Sequence, residues 1–215
     1  MLQLYYHPTD ASMAPHMLLE ELGVPFELKL VDRANQQHKS EAYLRLNPNG
    51  LIPVLVDGEL VLYETAAILL HLADTHPQAG LAPTLATAER AHFYKWLMWL
   101  SNTLHATLNL YFYPERWASP DHVHGATTVK ARAEARVGQL LQLLDQEFER
   151  HGQPWLLGER YTALDPYLLM LGRWTRNFGH PARDHAYLGR YLQRVLARPA
   201  VQRAYATEQI GDVLV

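Results

Sequence analysis

The hydrophobic pattern of this 215-residue chain changes its period once, near residue 80, and that change constrains the fold more than any other feature. Before it, short apolar runs alternate with helical stretches. After it, every long segment repeats with the helical period of about 3.6 residues. A chain of this length holds two small cores, so the pattern predicts an α/β unit followed by an all-helical one.

The first part reads as strand, helix, strand, helix, hairpin, helix. Leu2–Tyr6 is a short strand ended by His7-Pro8-Thr9-Asp10. Ala14–Leu22 is a helix with Met17, Leu18 and Leu22 on one side and Gly23 as its stop. Phe26–Val31 alternates apolar and polar residues as a half-buried strand does, and Lys39–Leu46 follows as a short helix. Ile52–Val56 and Leu60–Leu62 flank Asp57-Gly58, a strong hairpin signal, before a helix over Glu64–His76 that Pro77 ends. One parallel crossover and one antiparallel hairpin imply a mixed sheet covered by helices.

The expected boundaries are an α/β domain over 1–77, a linker over 78–86 containing Gly80 and Pro83, and a helical domain over 87–215. In the last, Phe93, Trp96, Leu97, Leu100, Leu104, Leu108 and Tyr111 form one long apolar stripe. Val129, Ala133, Val137, Leu140, Leu141, Leu144 and Phe148 form a second. Shorter helices are expected over Asp165–Phe178 and His185–Leu196.

Composition removes several function classes. The chain has no cysteine, which excludes disulfides, a CxxC redox centre and any protein thiol nucleophile. A net charge of -3 gives no general attraction for nucleic acid. Residues 1–80 carry four basic and ten acidic side chains, and 81–215 carry fifteen and twelve, an asymmetry read as surface variation. There is no secretory leader pattern and no apolar run long enough to span a membrane, so a cytoplasmic protein is expected. No GxG pair and no GxSxG elbow occur, against dinucleotide binding and α/β-hydrolase chemistry. His122 and His124 lack further ligands at metal spacing, so no metal is expected.

Four segments, in order, resemble the cytosolic glutathione S-transferase superfamily. Tyr5-Tyr6-His7-Pro8-Thr9-Asp10-Ala11-Ser12-Met13-Ala14-Pro15-His16 is similar to the opening of its bacterial beta class. Asn47-Pro48-Asn49-Gly50-Leu51-Ile52-Pro53-Val54-Leu55 resembles the NPxGxxPxL loop, and Tyr63-Glu64-Thr65-Ala66-Ala67-Ile68 resembles the start of the helix after the hairpin. Gly158-Glu159-Arg160-Tyr161-Thr162-Ala163-Leu164-Asp165 resembles the GDxxSxAD segment of the helical domain. The resemblance implies a thioredoxin-like βαβ-α-ββα domain, glutathione as co-substrate and a homodimer.

It also implies site residues. A cis bond before Pro53 would turn the Ile52 backbone toward the cleft, where an extended peptide such as glutathione binds. Glu64 and Thr65, at a helix start, would meet the γ-glutamyl ammonium and carboxylate, although capping alone also explains them. His38 and Asn49 are candidates for the glycyl end. Thr162 and Asp165 form a capping box with a structural role. A transferase must favour the glutathione thiolate, commonly by a hydrogen bond from the first strand–helix turn. Here the sequence departs from the beta class, because Ala11 stands where that class has its cysteine. Ser12 is the first candidate for thiolate stabiliser, then Tyr5 or Tyr6, with Thr9 behind; Asp10 would repel the charge. Met13, His105, Tyr111, Tyr113 and Trp117 are candidates for the second-substrate surface.

The expected reaction is conjugation of glutathione to small hydrophobic electrophiles. Two alternatives stay open: glutathione-dependent peroxide or disulfide reduction, and a non-catalytic binding protein that kept the fold.

Overall fold

The computed structural model describes residues 1–119 and 121–211, which form two compact units. The first contains four strands: β1 (Leu2–Tyr6), β2 (Phe26–Leu30), β3 (Val54–Asp57) and β4 (Leu60–Tyr63). Their spatial order is β2-β1-β3-β4, with β1 and β2 parallel and the other neighbours antiparallel. This is the mixed thioredoxin-like sheet expected from one crossover and one hairpin. The hairpin turn is Gly58-Glu59, one residue later than the Asp57-Gly58 signal, because Asp57 still pairs with Leu60; Gly58 supplies the φ of +60° that such turns require.

Helices α1 (Met13–Leu22), α2 (Glu41–Leu44) and α3 (Thr65–Thr75) complete the motif. Gly23, at φ +64°, ends α1 by donating its N–H to Leu19 O. The single helix expected over Lys39–Leu46 is instead a 3-10 turn at Gln37–Lys39 followed by α2. Ser40 separates them, because its extended backbone lets its side chain accept from Tyr43 N and cap α2.

Register places the core. Tyr5 lies opposite Val54, and Val54 opposite Tyr63, so these three share one face of the sheet. There Val31, Tyr43 and Val54 form a buried cluster against which Tyr5, Leu46, Ile52 and Tyr63 pack. Leu4 and Leu55 alternate to the other face and are fully buried, as are Met17, Leu18, Ile68, Leu69 and Leu72 of α1 and α3.

The second unit is helical: α4 (Ala88–Trp99), α5 (Ala106–Phe112), α6 (Gly125–His151), α7 (Leu164–Trp174) and α8 (Ala186–Leu196). The first apolar stripe is not one uninterrupted α-helix, because Leu100–His105 is a π-helical segment between α4 and α5. Its wider turn keeps Leu100 and Leu104 buried and sets the orientation of His105. In the first turn of α7, Asp165 accepts hydrogen bonds from Thr162 N at 2.6 Å, Leu156 N at 3.1 Å and Tyr191 Oη at 2.8 Å. Burial lifts its carboxyl to about 6.

The sequence reading ran the helical domain to the C-terminus, and the structure differs. Helix α9 (Pro199–Thr207) belongs with the first unit and packs along α1. Arg198 pairs with Glu21 and Arg203 with Glu20, contacts with no signature in local periodicity.

Candidate functional site

Two strand-to-helix junctions and two loops of the first unit carry the expected binding residues. At the first junction, β1 runs through His7–Ser12 into α1. Ser12 is fully buried, and its hydroxyl donates to His7 O at 3.0 Å while accepting from His7 N at 3.2 Å. The side chain expected to activate a thiol is therefore spent on holding its own turn closed. Met13 beside it is also buried. Thr9 adopts φ +67°, unusual for a β-branched residue, and its N–H is held by Glu208 at 3.0 Å. The other Glu208 oxygen meets His16 Nδ1 at 2.8 Å in a pair shielded from solvent. Asp10 does not cap α1; its carboxylate faces Arg33 Nη1 at 2.9 and 2.7 Å.

Tyr5 and Tyr6 point to opposite faces of the sheet. Tyr5 packs edge-on against Tyr43, with ring centroids 6.1 Å apart, in the cluster that includes Ile52. Tyr6 lies beside His16, and burial together with the Glu208 charge raises its hydroxyl pKa. Neither hydroxyl has a hydrogen-bond partner among the described residues.

The Asn47–Pro53 loop is anchored from below. Tyr43 Oη and Asn47 Nδ2 both donate to Leu51 O, at 2.9 and 2.8 Å. Tyr43 and Asn47 are buried, and neither stood among the sequence candidates. The Ile52–Pro53 bond is cis, as expected. No hydrogen bond among the described residues occupies the Ile52 N–H or C=O.

Gly50 stands at φ +60°, where a Cβ would lie 2.9 Å from His38 O, so only glycine lets these two segments approach. Lys39 Nζ joins them by reaching Asn49 O at 3.4 Å and Gly50 O at 3.3 Å. Asn49 is exposed. His38 Nδ1 is buried without a partner, and burial, then Lys39 and Arg33, hold its pKa below the ordinary value.

At the second junction, Glu64 precedes α3 at φ +74°, a conformation costly for any residue but glycine. Its exposed side chain neither caps the helix nor finds an ionic partner among the described residues. Thr65 is buried, and its hydroxyl donates to Ala11 O at 3.4 Å, tying this junction to the first. Strain, an unpartnered carboxylate and the N-terminus of an 11-residue helix coincide here.

In the helical unit, His105 Nδ1 lies 2.9 Å from Tyr167 Oη, and its ring meets the edge of Trp174 at 5.1 Å. Burial lowers its pKa to about 4, so the imidazole is neutral near pH 7. Tyr111 packs on Phe178 at 4.3 Å, Arg116 covers Tyr113 at 4.1 Å, and Trp117 is largely exposed. Tyr111 and Tyr113 are thus held by specific neighbours, whereas Trp117 is open. No helix among the described residues is long and apolar enough to cross a membrane.

Residues 1–74 match the glutathione S-transferase N-terminal domain family. Over nearly its whole length the chain is similar to glutathione S-transferase GST-4.5 of Xanthomonas campestris, at 34% identity over 98% of this chain and 100% of the relative. It is 32% identical to the disulfide-bond oxidoreductase YfcG of Escherichia coli, over 99% and 98% of the two chains. Among solved structures, a glutathione transferase homologue from Sulfitobacter with bound glutathione superposes with a TM-score of 0.87 at 26% identity, covering 96% of this chain and 98% of that one.

Proposed function

We propose that this chain, which belongs to the glutathione S-transferase family, joins the thiolate of glutathione to small hydrophobic electrophiles. The observation that carries the reading is Glu64. A non-glycine residue held at positive φ, with a solvent-facing carboxylate and no partner among the described residues, fits a role toward a bound cation better than a role in folding. Glu64 would take the γ-glutamyl ammonium, and the α3 N-terminus with Thr65 its carboxylate. The unoccupied Ile52 backbone groups suit the cysteinyl peptide, and Lys39, His38 and Asn49 suit the glycyl end.

The thiol then belongs at the β1–α1 turn. With the Ser12 hydroxyl committed to His7, the donors best placed for it are the Tyr5 hydroxyl, which packs in the cluster that includes Ile52, and the Ala11 and Ser12 amides just before α1, whereas Tyr6 points to the other face of the sheet. The protein supplies proximity and thiolate stabilisation and forms no covalent intermediate of its own. In the helical unit, Trp117 with Tyr111 and Tyr113 offers apolar surface for the electrophile, and neutral His105 offers a hydrogen-bonding group. A cytoplasmic homodimer is part of the same reading.

Calorimetry with glutathione, joined to ultraviolet titration of the bound thiol, tests it in wild type, Tyr5→Phe and Ser12→Ala. Binding with a lowered thiol pKa and turnover of an aryl halide is expected. A rise in thiol pKa in Tyr5→Phe assigns the hydrogen bond to that hydroxyl, and no rise assigns it to the amides. Absence of binding at millimolar glutathione overturns the reading. Likeness to YfcG supports a second activity, reduction of small disulfides. In a chain without cysteine the redox sulfur must be that of glutathione.

A further inference from the structure

We propose that Arg33 is a positioning and charge-balancing residue for the glutathione thiolate, cancelling the Asp10 carboxylate at the turn that receives the sulfur. The inference rests on the glutathione-binding reading given above. It begins from a carboxylate in an unexpected place. Asp10 lies two residues before the N-cap position, which Ser12 occupies, and its carboxylate is not used on the first amides of α1, which has no side-chain cap. Backbone bonds fix Asp10 on both sides, its N–H to His7 O at 3.2 Å and its C=O to Met13 N at 3.0 Å. The side chain instead turns to the loop after β2, where one guanidinium nitrogen serves both oxygens.

The surroundings make the charge consequential. Asp10 is faced by His7 from the end of β1, by Arg33, and by Glu208 from beyond α9. Lys39 adds to the cationic side, and Arg33 and Asp10 both act on neighbouring His38, whose burial disfavours its charged form. The Asp10 and Arg33 side chains are only 25% and 36% exposed, so water does not fully screen them. A bare carboxylate beside the thiol would oppose ionisation of the sulfur, whose proton leaves to solvent. One unbalanced charge several ångströms from the sulfur in a partly shielded site would shift its ionisation constant about tenfold. Arg33 removes that penalty without touching the sulfur.

The sign of the effect separates this role from a merely structural one. Arg33→Met strips the carboxylate of its partner and should raise the thiol pKa of bound glutathione by about one unit, with kcat falling about tenfold near neutral pH. Asp10→Asn removes the negative charge while keeping the guanidinium, and should lower the thiol pKa. The double variant should return close to wild type. Damage to the turn would move both single variants in the same direction and would not be rescued by combining them. The measurements are thiolate absorbance against pH at saturating glutathione, with calorimetry for affinity and thermal melts to verify folding. If Arg33→Met does not fold, Asp10→Asn alone still decides, since a raised or unchanged thiol pKa overturns the proposal. An Arg33→Met shift that persists in the double variant also overturns it. Failure of wild type to bind glutathione is seen before any variant is made and removes the underlying reading instead.

Discussion

The two strand-to-helix junctions of the first unit start from the same problem and solve it differently. Each must end a strand, turn the chain and begin a helix whose first amides lack partners. At the β1–α1 turn nearly every polar side chain is spent inside the protein: Ser12 on His7, Glu208 on Thr9 and His16, Asp10 on Arg33. At the β4–α3 junction Glu64 holds a strained backbone and an unpaired carboxylate. A wired turn keeps its shape when empty and presents backbone groups in fixed places. An open junction keeps its functional group for a ligand. Variants that break the hydrogen bonds closing the first should therefore register chiefly in stability, and variants at the second in binding.

The largest effect is expected at Glu208. Glu208→Ala removes an acceptor from the Thr9 amide and from buried His16 together, and should cost about 3 kcal/mol of unfolding free energy. Urea unfolding of the two proteins measures it, and a loss below about 1 kcal/mol would mean the turn is held by the sheet and α1 alone. The opposite signature is expected at Glu64. Glu64→Gln keeps size and exposure while removing the charge, so its melting temperature should match wild type. Glutathione affinity should fall by roughly 10- to 100-fold, the range for a charged hydrogen bond of about 1.5–3 kcal/mol. A variant that loses stability but keeps affinity would make Glu64 a folding device and dissolve the contrast.

The fold was largely legible because its signals are local. The Asp57-Gly58 hairpin signal, the Gly23 stop and the alternating apolar residues of β2 each depend on a few neighbouring residues. The cis Ile52–Pro53 bond and the place of Glu64 and Thr65 at the start of α3 were legible through motif resemblance. Ser12 was read as a donor because hydroxyl chemistry and position both suited it. Its actual partner, the His7 backbone five residues back, depends on how tightly the turn closes, which no periodicity encodes. Glu208 carries no sequence signal toward Thr9, 199 positions away. Tyr43 and Asn47 carry no sequence signal toward the Leu51 carbonyl, to which both donate. The break between α4 and α5 was missed because leucines four apart fit either helix type.

Ser12→Ala sharpens the comparison at a smaller scale. It removes one hydroxyl that both donates and accepts within a fully buried turn, so about 1–2 kcal/mol of stability should be lost. The bound thiol should keep its pKa, because the hydroxyl is engaged with the His7 backbone. A raised thiol pKa with unchanged stability would return Ser12 to the role its sequence position suggested and blur the line between the two junctions.

The smallest effect concerns the Asp10 carboxyl and tests whether the turn is wired at some cost to itself. Burial raises its pKa above the ordinary value, and the pull of Arg33 offsets that only in part. A folded-state value above the unfolded one means that the folded protein holds this proton more tightly. The associated stability is complete below the unfolded carboxyl pKa, near 4, and is lost as pH rises through the higher folded value. Wild type should therefore weaken relative to Asp10→Asn between about pH 4 and pH 7, by less than about 1 kcal/mol because the pair is partly exposed. Paired urea unfolding at the two pH values isolates the term, since every other titrating group is common to both proteins. If wild type instead gains on the Asn variant as pH rises, Arg33 outweighs burial. The turn would then be stabilised by its own charges rather than merely tolerating them.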